Sequence, residues 1–508
     1  MKKTKLTPFA KVLIVVAVLS VLAFVFYKYK DQILPGQSTN GANNTDIPKD
    51  AKIVKIGVVT WGGYIGGQYF NEGFEANQNS RFYKDYGFLV EFKIIDDFAA
   101  SRSAWKAGEV DLLWSTIDAF TTEVKGLEQF NPQVVFQSDW SRGGDAVVVQ
   151  RGINNVNDLK GKKIAFAEMT PSHTFLLWML DAGGLDIKDI EPVKVASAID
   201  AADLFKKGQV DAAIVWSPDD ADCVAKVPGA KILQNTKDAS HIIADIFVAK
   251  KEYVDANRDI LQKLFEGWMK GAAEINTTPE ARAKAVKILS LGLKQPEDFC
   301  DLAINNVRLC TYGDNVNFFG LNSAFKGVTG EEIYNKMEVK YQKAGYITEK
   351  IQSWRIIANP ILVTSTQLTG AMHDAEQSVN FSEVTNDVVE KEAISTKRVS
   401  IQFASGSAVI DDNMKRIIDL EFLDIAKSFS NARIRIEGNT DNTGNRQANI
   451  DLSKKRAQAV ADYLITEHKF STNRFIIVGN GPDKPVSDNT SVDGKAKNRR
   501  TDFELIGN

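Results

Sequence analysis

At 508 residues the chain is too long for a single hydrophobic core and calls for two or three domains. Its 44% hydrophobic and 25% charged content are those of folded globular protein, and a net charge of −3 without a basic block leaves no footprint for nucleic acid. Three cysteines (Cys223, Cys300, Cys310) and four scattered histidines (His173, His241, His373, His468) show no metal-ligand spacing, so no metal or other cofactor is expected. A Cys300–Cys310 bridge and three separate buried thiols both stay open.

The chain begins with basic residues and then an uncharged apolar run, Val12 to Tyr27. Small residues suited to signal cleavage do not follow it, since Phe26-Tyr27-Lys28 stands there, and no Cys follows for lipid attachment. Residues 1–30 therefore read as a cytoplasmic tip and a single uncleaved transmembrane helix, with Lys2, Lys3, Lys5 and Lys11 favouring a cytoplasmic N-terminus. The rest of the chain would then lie in the periplasm, held at the inner membrane. Residues 31–51, rich in Gly, Asn, Pro and Ser, read as a flexible linker with a coil span of about 25 Å.

From residue 52 the pattern changes to short apolar strands alternating with helical stretches. Strands are expected at Ile53 to Thr60, Val90 to Ile95, Val110 to Ser115, Ala146 to Val149, Lys163 to Phe166, Val193 to Val195 and Ala212 to Trp216. Such alternation implies mostly parallel α/β sheets, which bind ligands at the carboxyl ends of their strands. The residues standing there give a candidate solute site: Trp61, Trp114, Thr116, Asp118, Ser141, Glu168, Thr170, Trp216 and Asp219. Trp140 and Asp139 lie close by in sequence. Tryptophan faces among acids point to an organic cation as the solute. An anion held by hydroxyls and by the helix starting near Thr170 and Ser172 is the alternative, weakened because Arg142 is the sole arginine in these loops.

DWSRGGDAVVV, INNVNDLKGKKIAF and KKGQVDAAIVWSPD resemble periplasmic solute-binding proteins of the nitrate/sulfonate/taurine and thiamine-precursor type. The likeness covers residues 52 to 330 and implies two α/β lobes closing on a small molecule, with a transporter or another inner-membrane protein as partner. Lobe two would comprise residues 152–238, with crossings near Ala146 to Gln150 and Ile246 to Lys250. Helices over Asp255 to Gly320 and Glu331 to Gly345, and a stretch from Trp354 to Val363 that ends in a strand broken at Pro360, complete a domain of residues 52–363. Residues 364–397 lack periodicity and read as a second linker.

The terminal domain, residues 398–508, reads as strand Val399 to Phe403, helix Asp411 to Phe429, strand Arg433 to Gly438, helix Asn445 to His468, strand Phe475 to Val478 and a last strand after Arg500. That order gives a helix-backed mixed sheet. Asp441 ends a strand and Arg456 lies in the helix after it. Held on rigid elements, such a pair can grip both charges of a zwitterion.

Thr440-Asp441-Asn442-Thr443-Gly444, then Asn449, Leu452-Ser453, Arg456-Ala457 and Val460, then Asn498-Arg499-Arg500, resemble the OmpA-like peptidoglycan-binding domain. The resemblance implies that Asp441 and Arg456 clamp the diaminopimelate of the wall stem peptide, helped by Thr440, Asn449 and Arg499. The fold expected is thus α/β: a two-lobed periplasmic binding protein plus a C-terminal α+β OmpA-like domain, behind one membrane helix.

The function expected is a non-enzymatic, peptidoglycan-bound and membrane-anchored solute receptor for transport or sensing. The alternative is an envelope tether whose middle domain is a spacer or protein docking platform. For an enzyme, the chain offers only the adjacent Ser172 and His173 as a nucleophile and base.

Overall fold

The computed structural model describes residues 51–507 apart from Ser378, Gln402 and Ser405. The Val12 to Tyr27 run and the first linker lie outside the described residues. Among the described residues, no helix is long and apolar enough to cross a membrane.

Three sheets organise the chain. The first has the order β11-β4-β10-β3-β1-β2, with β1 Ile53–Val58, β2 Leu89–Ile94, β3 Leu112–Thr116, β4 Pro132–Ser141, β10 Ala244–Lys250 and β11 Val307–Leu309. The second has the order β7-β6-β8-β5-β9, with β5 Asp145–Val149, β6 Lys163–Ala167, β7 Glu191–Val195, β8 Ala212–Trp216 and β9 Lys231–Asn235. In each sheet three strands run parallel, while β4, β10 and β11 in the first and β5 and β9 in the second run antiparallel to their neighbours.

The antiparallel strands are the ones that carry the chain between lobes. Ser141 ends β4 in the first sheet and Asp145 begins β5 in the second; β9 ends at Asn235 and β10 begins at Ala244. The crossings are therefore residues 141–145 and 235–244. Of the expected crossings, Ala146 to Gln150 is strand as far as Val149, and Ile246 to Lys250 lies within β10. Strand β4 is buried on both faces over all ten residues and carries Gln133, Gln137, Ser138 and Asp139 inward. Polar residues so placed break the hydrophobic run by which a buried strand is recognised.

Helices cover the first sheet. The helix Arg258–Thr277 buries Leu261, Leu264, Phe265 and Trp268, and Trp268 packs edge-on against Phe92 and Phe136. The stretch Trp354 to Val363, expected to end in a strand, forms two short helices, Trp354–Ile357 and Ile361–Ser365, and the break falls at Pro360 as expected. All three cysteines are buried free thiols.

The third sheet, order β12-β15-β13-β14, forms the C-terminal domain from β12 Ser395–Val399, β13 Arg433–Asn439, β14 Phe475–Gly481 and β15 Thr501–Ile506. The strand expected at Val399 to Phe403 thus lies earlier in the chain. β13 and β14 are parallel, and β15 runs antiparallel between β12 and β13. The helix Arg446–His468 buries Ser453, Ala457, Val460, Ala461 and Leu464 against this sheet. Gly438 permits the close fit, because a Cβ there would stand 2.1 Å from the Ser453 carbonyl oxygen. The Ser453 hydroxyl accepts from the Gly481 N–H at 2.9 Å and ties the helix to β14.

The second linker is docked on its neighbours. Phe381 and His373 are buried, and Glu376 accepts two hydrogen bonds from Arg142, at 2.9 and 2.6 Å. Contacts this irregular in spacing leave no periodicity to read.

Candidate functional site

Two sites emerge, one between the lobes and one in the C-terminal domain. Where the lobes meet, strand pairing and the start of one helix bring four aspartates together. Asp245 at the start of β10 lies opposite Asp139 of β4 on one side and Thr116 of β3 on the other. Asp145, opening β5, pairs with Trp216 of β8. Asp118 sits in the first turn of the helix Ile117–Leu127, close to Thr174 on the lobe-two helix Pro171–Ala182. All four carboxylates are buried.

Their hydrogen bonds are incomplete. Tyr64 Oη donates to Asp245 Oδ2 at 2.5 Å. Asp139 accepts from Trp61 Nε1 at 3.2 Å and from Ser138 Oγ at 3.0 Å. Ser141 Oγ donates to Asp145 Oδ2 at 2.7 Å, while Asp145 Oδ1 has no partner. Neither oxygen of Asp118 is hydrogen-bonded; Thr116 and Thr174 lie near enough to favour its charge, and the Thr116 hydroxyl itself is unpartnered.

Burial disfavours a charged carboxyl. It pushes Asp118 and Asp145 up to about 7 and raises Asp139. Asp245 is raised well above the carboxylate range by burial and then by the charge of Asp139. Tyr64 is raised for the same two kinds of reason, burial first.

Aromatic rings surround the acids. Phe98 packs edge-on against Trp114 at 5.1 Å and reaches Trp216, across the lobes, at 6.4 Å. Trp61 closes over the crossing, and Gly144 makes room for it, since a Cβ there would stand 2.1 Å from the indole ring. Arg102 from the helix Phe98–Ala107 lies 4.8 Å from the Trp114 ring centroid and is paired with Glu123 at 2.6 and 2.9 Å.

Of the sequence-derived solute residues, Trp61, Trp114, Thr116, Asp118, Ser141 and Trp216 come together here. Three do not. Glu168 is paired with Lys194 at 2.6 Å. Thr170 spends its hydroxyl on the Ala167 carbonyl at 2.9 Å. Asp219 starts the helix Asp219–Lys226 among Lys206, Asp222 and Asp203. Trp140 is also elsewhere, packed edge-on against His241 at 4.8 Å. Ser172 Oγ and His173 Nε2 are each unpartnered, so the two form no nucleophile–base pair.

Tyr64, Asp145, Asp245 and Arg102 also stand in this site, beyond the residues the sequence indicates. Asp145 and Asp245 each precede an apolar strand (DAVVV, ADIFVAK), and an acid at the head of a buried strand was the available signal.

In the C-terminal domain, Asp441 is 9% exposed and follows the end of β13. Its Oδ1 accepts from the Thr443 N–H at 2.8 Å, and its Oδ2 forms an ion pair with Arg499 Nη1 at 2.6 Å. Arg456 is not its direct partner. The Arg456 guanidinium lies 5.0 Å from the Phe403 ring centroid and donates to the carbonyls of Ser407 at 2.9 Å and Ala404 at 3.2 Å.

The three charges nonetheless act on one another. Burial and the charge of Arg499 lower the Arg456 pKa, while Asp441 opposes them. Burial alone would raise Asp441, but its bonds from Arg499 and Thr443 hold the carboxyl below its usual range.

A cavity of about 180 Å³ opens beside Arg456 and Arg499, lined also by Phe403, Asn439 and Thr501. Asn449 Nδ2 donates to the Thr443 carbonyl at 2.9 Å and shapes the turn. Thr440 Oγ1 donates to the Asp441 carbonyl at 2.8 Å. The Asn498-Arg499-Arg500 run divides its work: Asn498 staples Val486 and Ser487, Arg499 reaches Asp441, and Arg500 pairs with Asp502.

Comparison with known proteins bears on both regions. Residues 402–499 match the OmpA family, and residues 73–282 match the NMT1/THI5-like family. Outer membrane protein Omp38 of Acinetobacter baumannii is 38% identical over 103 residues, 19% of this chain and 29% of that protein. Peptidoglycan-binding protein ArfA of Mycobacterium tuberculosis is 42% identical over 80 residues, 16% of this chain and 24% of its own length. The chain thus spans less than a third of either relative.

The taurine-binding periplasmic protein of Escherichia coli is 22% identical over 236 residues, 45% of this chain and 67% of that protein. The aliphatic sulphonate binding protein SsuA from the same organism superposes with a TM-score of 0.49 at 18% identity, covering 66% of this chain and 98% of SsuA. The polypeptide joins a two-lobed NMT1/THI5-like domain to a C-terminal OmpA-family domain.

Proposed function

We propose that this protein is a solute receptor fixed to the cell wall: the C-terminal domain binds peptidoglycan, and the two-lobed domain binds a small molecule. The observation that carries the wall-binding half is the pair Arg456 and Arg499 lining one cavity, with Asp441 ion-paired to Arg499, within an OmpA-family domain. One acid and two guanidinium groups suit the zwitterionic end of a diaminopimelate stem peptide, its ammonium meeting Asp441 and its carboxylate the arginines. Ligand binding then means exchange: Arg499 leaves Asp441 for the incoming carboxylate. Pull-down on purified peptidoglycan tests this. Asp441→Ala and Arg499→Ala should each abolish retention, and undiminished retention of both would place the site elsewhere.

The solute-binding half is supported by the NMT1/THI5-like match and by the convergence of aromatic and acidic side chains where the lobes meet. We place the Val12 to Tyr27 run in the inner membrane, with the domains in the periplasm and an inner-membrane transporter or sensor as the recipient of the signal. Fractionation tests that placement, since deleting residues 1–30 should release the chain from membranes.

A second reading has one observation in its favour: the residues between the lobes are buried, and the lobes touch through Thr174 and Tyr341 at 3.0 Å. A domain serving only as spacer or docking platform would keep its lobes so apposed. Thermal-shift screening of the full chain separates the two, as stabilisation by any small solute favours the receptor.

A further inference from the structure

We infer that the site between the lobes takes an organic ammonium ion, its charged end among Asp118, Asp139, Asp145 and Asp245 and its body against Trp61, Trp114 and Trp216. This rests on the solute-receptor reading and assigns the chemical class of that solute.

The first argument is charge. Four buried carboxyl groups influence one another here, Asp245 feeling Asp139, Asp118 and Asp145. The one cationic side chain acting on the cluster from the helix Phe98–Ala107 is Arg102, and Glu123 holds it through two short bonds. His173, from the lobe-two helix, is pushed down to about 4 by burial and stays neutral. Lys194 is spent on Glu168. Ionised carboxyls repel an anion entering this site, whereas a cation stabilises their charged form.

The second argument is hydrogen bonding. Trp114 Nε1 and the Thr116 hydroxyl are each 3% exposed at the residue level and have no hydrogen-bond partner. Thr116 stands beside the Asp118 carboxyl, and the Trp216 indole, also without a bond, stands beside Asp145. Buried polar atoms left unpartnered are costly, and they mark where a ligand supplies the missing partner. Indole faces also attract a desolvated ammonium group. Donors such as Trp114 Nε1 and Arg102 Nη1 further favour an oxygen acceptor on the solute, as in an amino alcohol.

Isothermal titration of the full chain tests the inference, with ethanolamine, choline and putrescine set against ethanesulfonate and nitrate. Binding of at least one ammonium compound and of neither anion is expected. Protons should be released on binding at pH 7, read from the heat in two buffers of different ionisation enthalpy, because the cation draws raised carboxyls into their charged form.

Asp118→Asn should weaken the ammonium compound about tenfold to a hundredfold while leaving peptidoglycan retention unchanged. Binding of an anion alone would overturn the ammonium assignment and keep the receptor. Binding of none of the five would overturn both and leave the spacer.

Discussion

Asp118 shows how a residue of the proposed solute site weakens the fold that carries it. Its carboxyl has no hydrogen bond and titrates near 7, above its unfolded value of 3.8. A raised folded pKa means the folded state holds the proton more tightly than the unfolded chain. The stability it contributes is complete below pH 3.8 and is lost as pH rises through 7. Asp145 shares the direction and the window. The unliganded protein should therefore melt at a higher temperature at pH 5 than at pH 8. Asp118→Asn should raise the melting temperature at pH 8, by up to about 4 kcal/mol in stability, and flatten the pH slope. A wild-type profile that is level from pH 5 to 8 would contradict this.

Arg456 and Arg499, both read as peptidoglycan residues, differ in what they hold before ligand arrives. Arg499 neutralises Asp441, whereas Arg456 fastens the Ala404 and Ser407 carbonyls near Phe403. Arg499→Lys keeps a charge but loses the planar fork, so it should retain partial binding. Arg456→Lys should lose both wall binding and the order of Phe403, Ala404 and Ser407, visible as faster amide exchange at those residues.

At the scale of elements, the strands that cross between lobes matter most. β4, β5 and β10 deliver Asp139, Asp145 and Asp245 to one place because each starts or ends at a crossing. In the C-terminal domain the equivalent device is the contact of the helix Arg446–His468 with β13 and β14. It fixes Arg456 relative to Asp441, and it depends on Gly438. Gly438→Ala should force the helix outward, destabilise the domain by about 1–3 kcal/mol, and abolish peptidoglycan pull-down although no ligand-facing side chain is changed. Chemical denaturation and the pull-down together check it.

On the scale of the whole molecule, the C-terminal domain is docked on both lobes. Asp181 of lobe two receives Lys397 of β12 at 2.8 Å and Lys340 of the helix Gly330–Lys343 at 2.5 Å. That same helix reaches the C-terminal domain through Lys336–Asp424 at 2.8 Å and Glu332–Lys427 at 2.7 Å. Lys340 and Lys397 together hold the Asp181 carboxyl far below its usual range against the opposing effect of burial. Asp181→Asn leaves the poorly exposed Lys340 ammonium unpaired and Lys397 with only Glu421 at 3.7 Å, and should cost about 2 kcal/mol. Limited proteolysis should then cut residues 374–394 sooner than in the wild type.

The sequence by itself determined the kinds of element, the α/β alternation, and the C-terminal signature from Thr440 to Arg500, because those depend on local spacing and on residues fixed by short turns. It also supplied most of the aromatic side chains between the lobes, which stand where strands end. Only the tertiary structure decided that Asp145 and Asp245 join Asp118 and Asp139, that Glu168, Thr170 and Asp219 do not, and that Arg499 is the direct partner of Asp441. Each of those outcomes turns on which distant strands become neighbours, and hydrogen-bond register between strands far apart in sequence leaves no periodic trace along the chain.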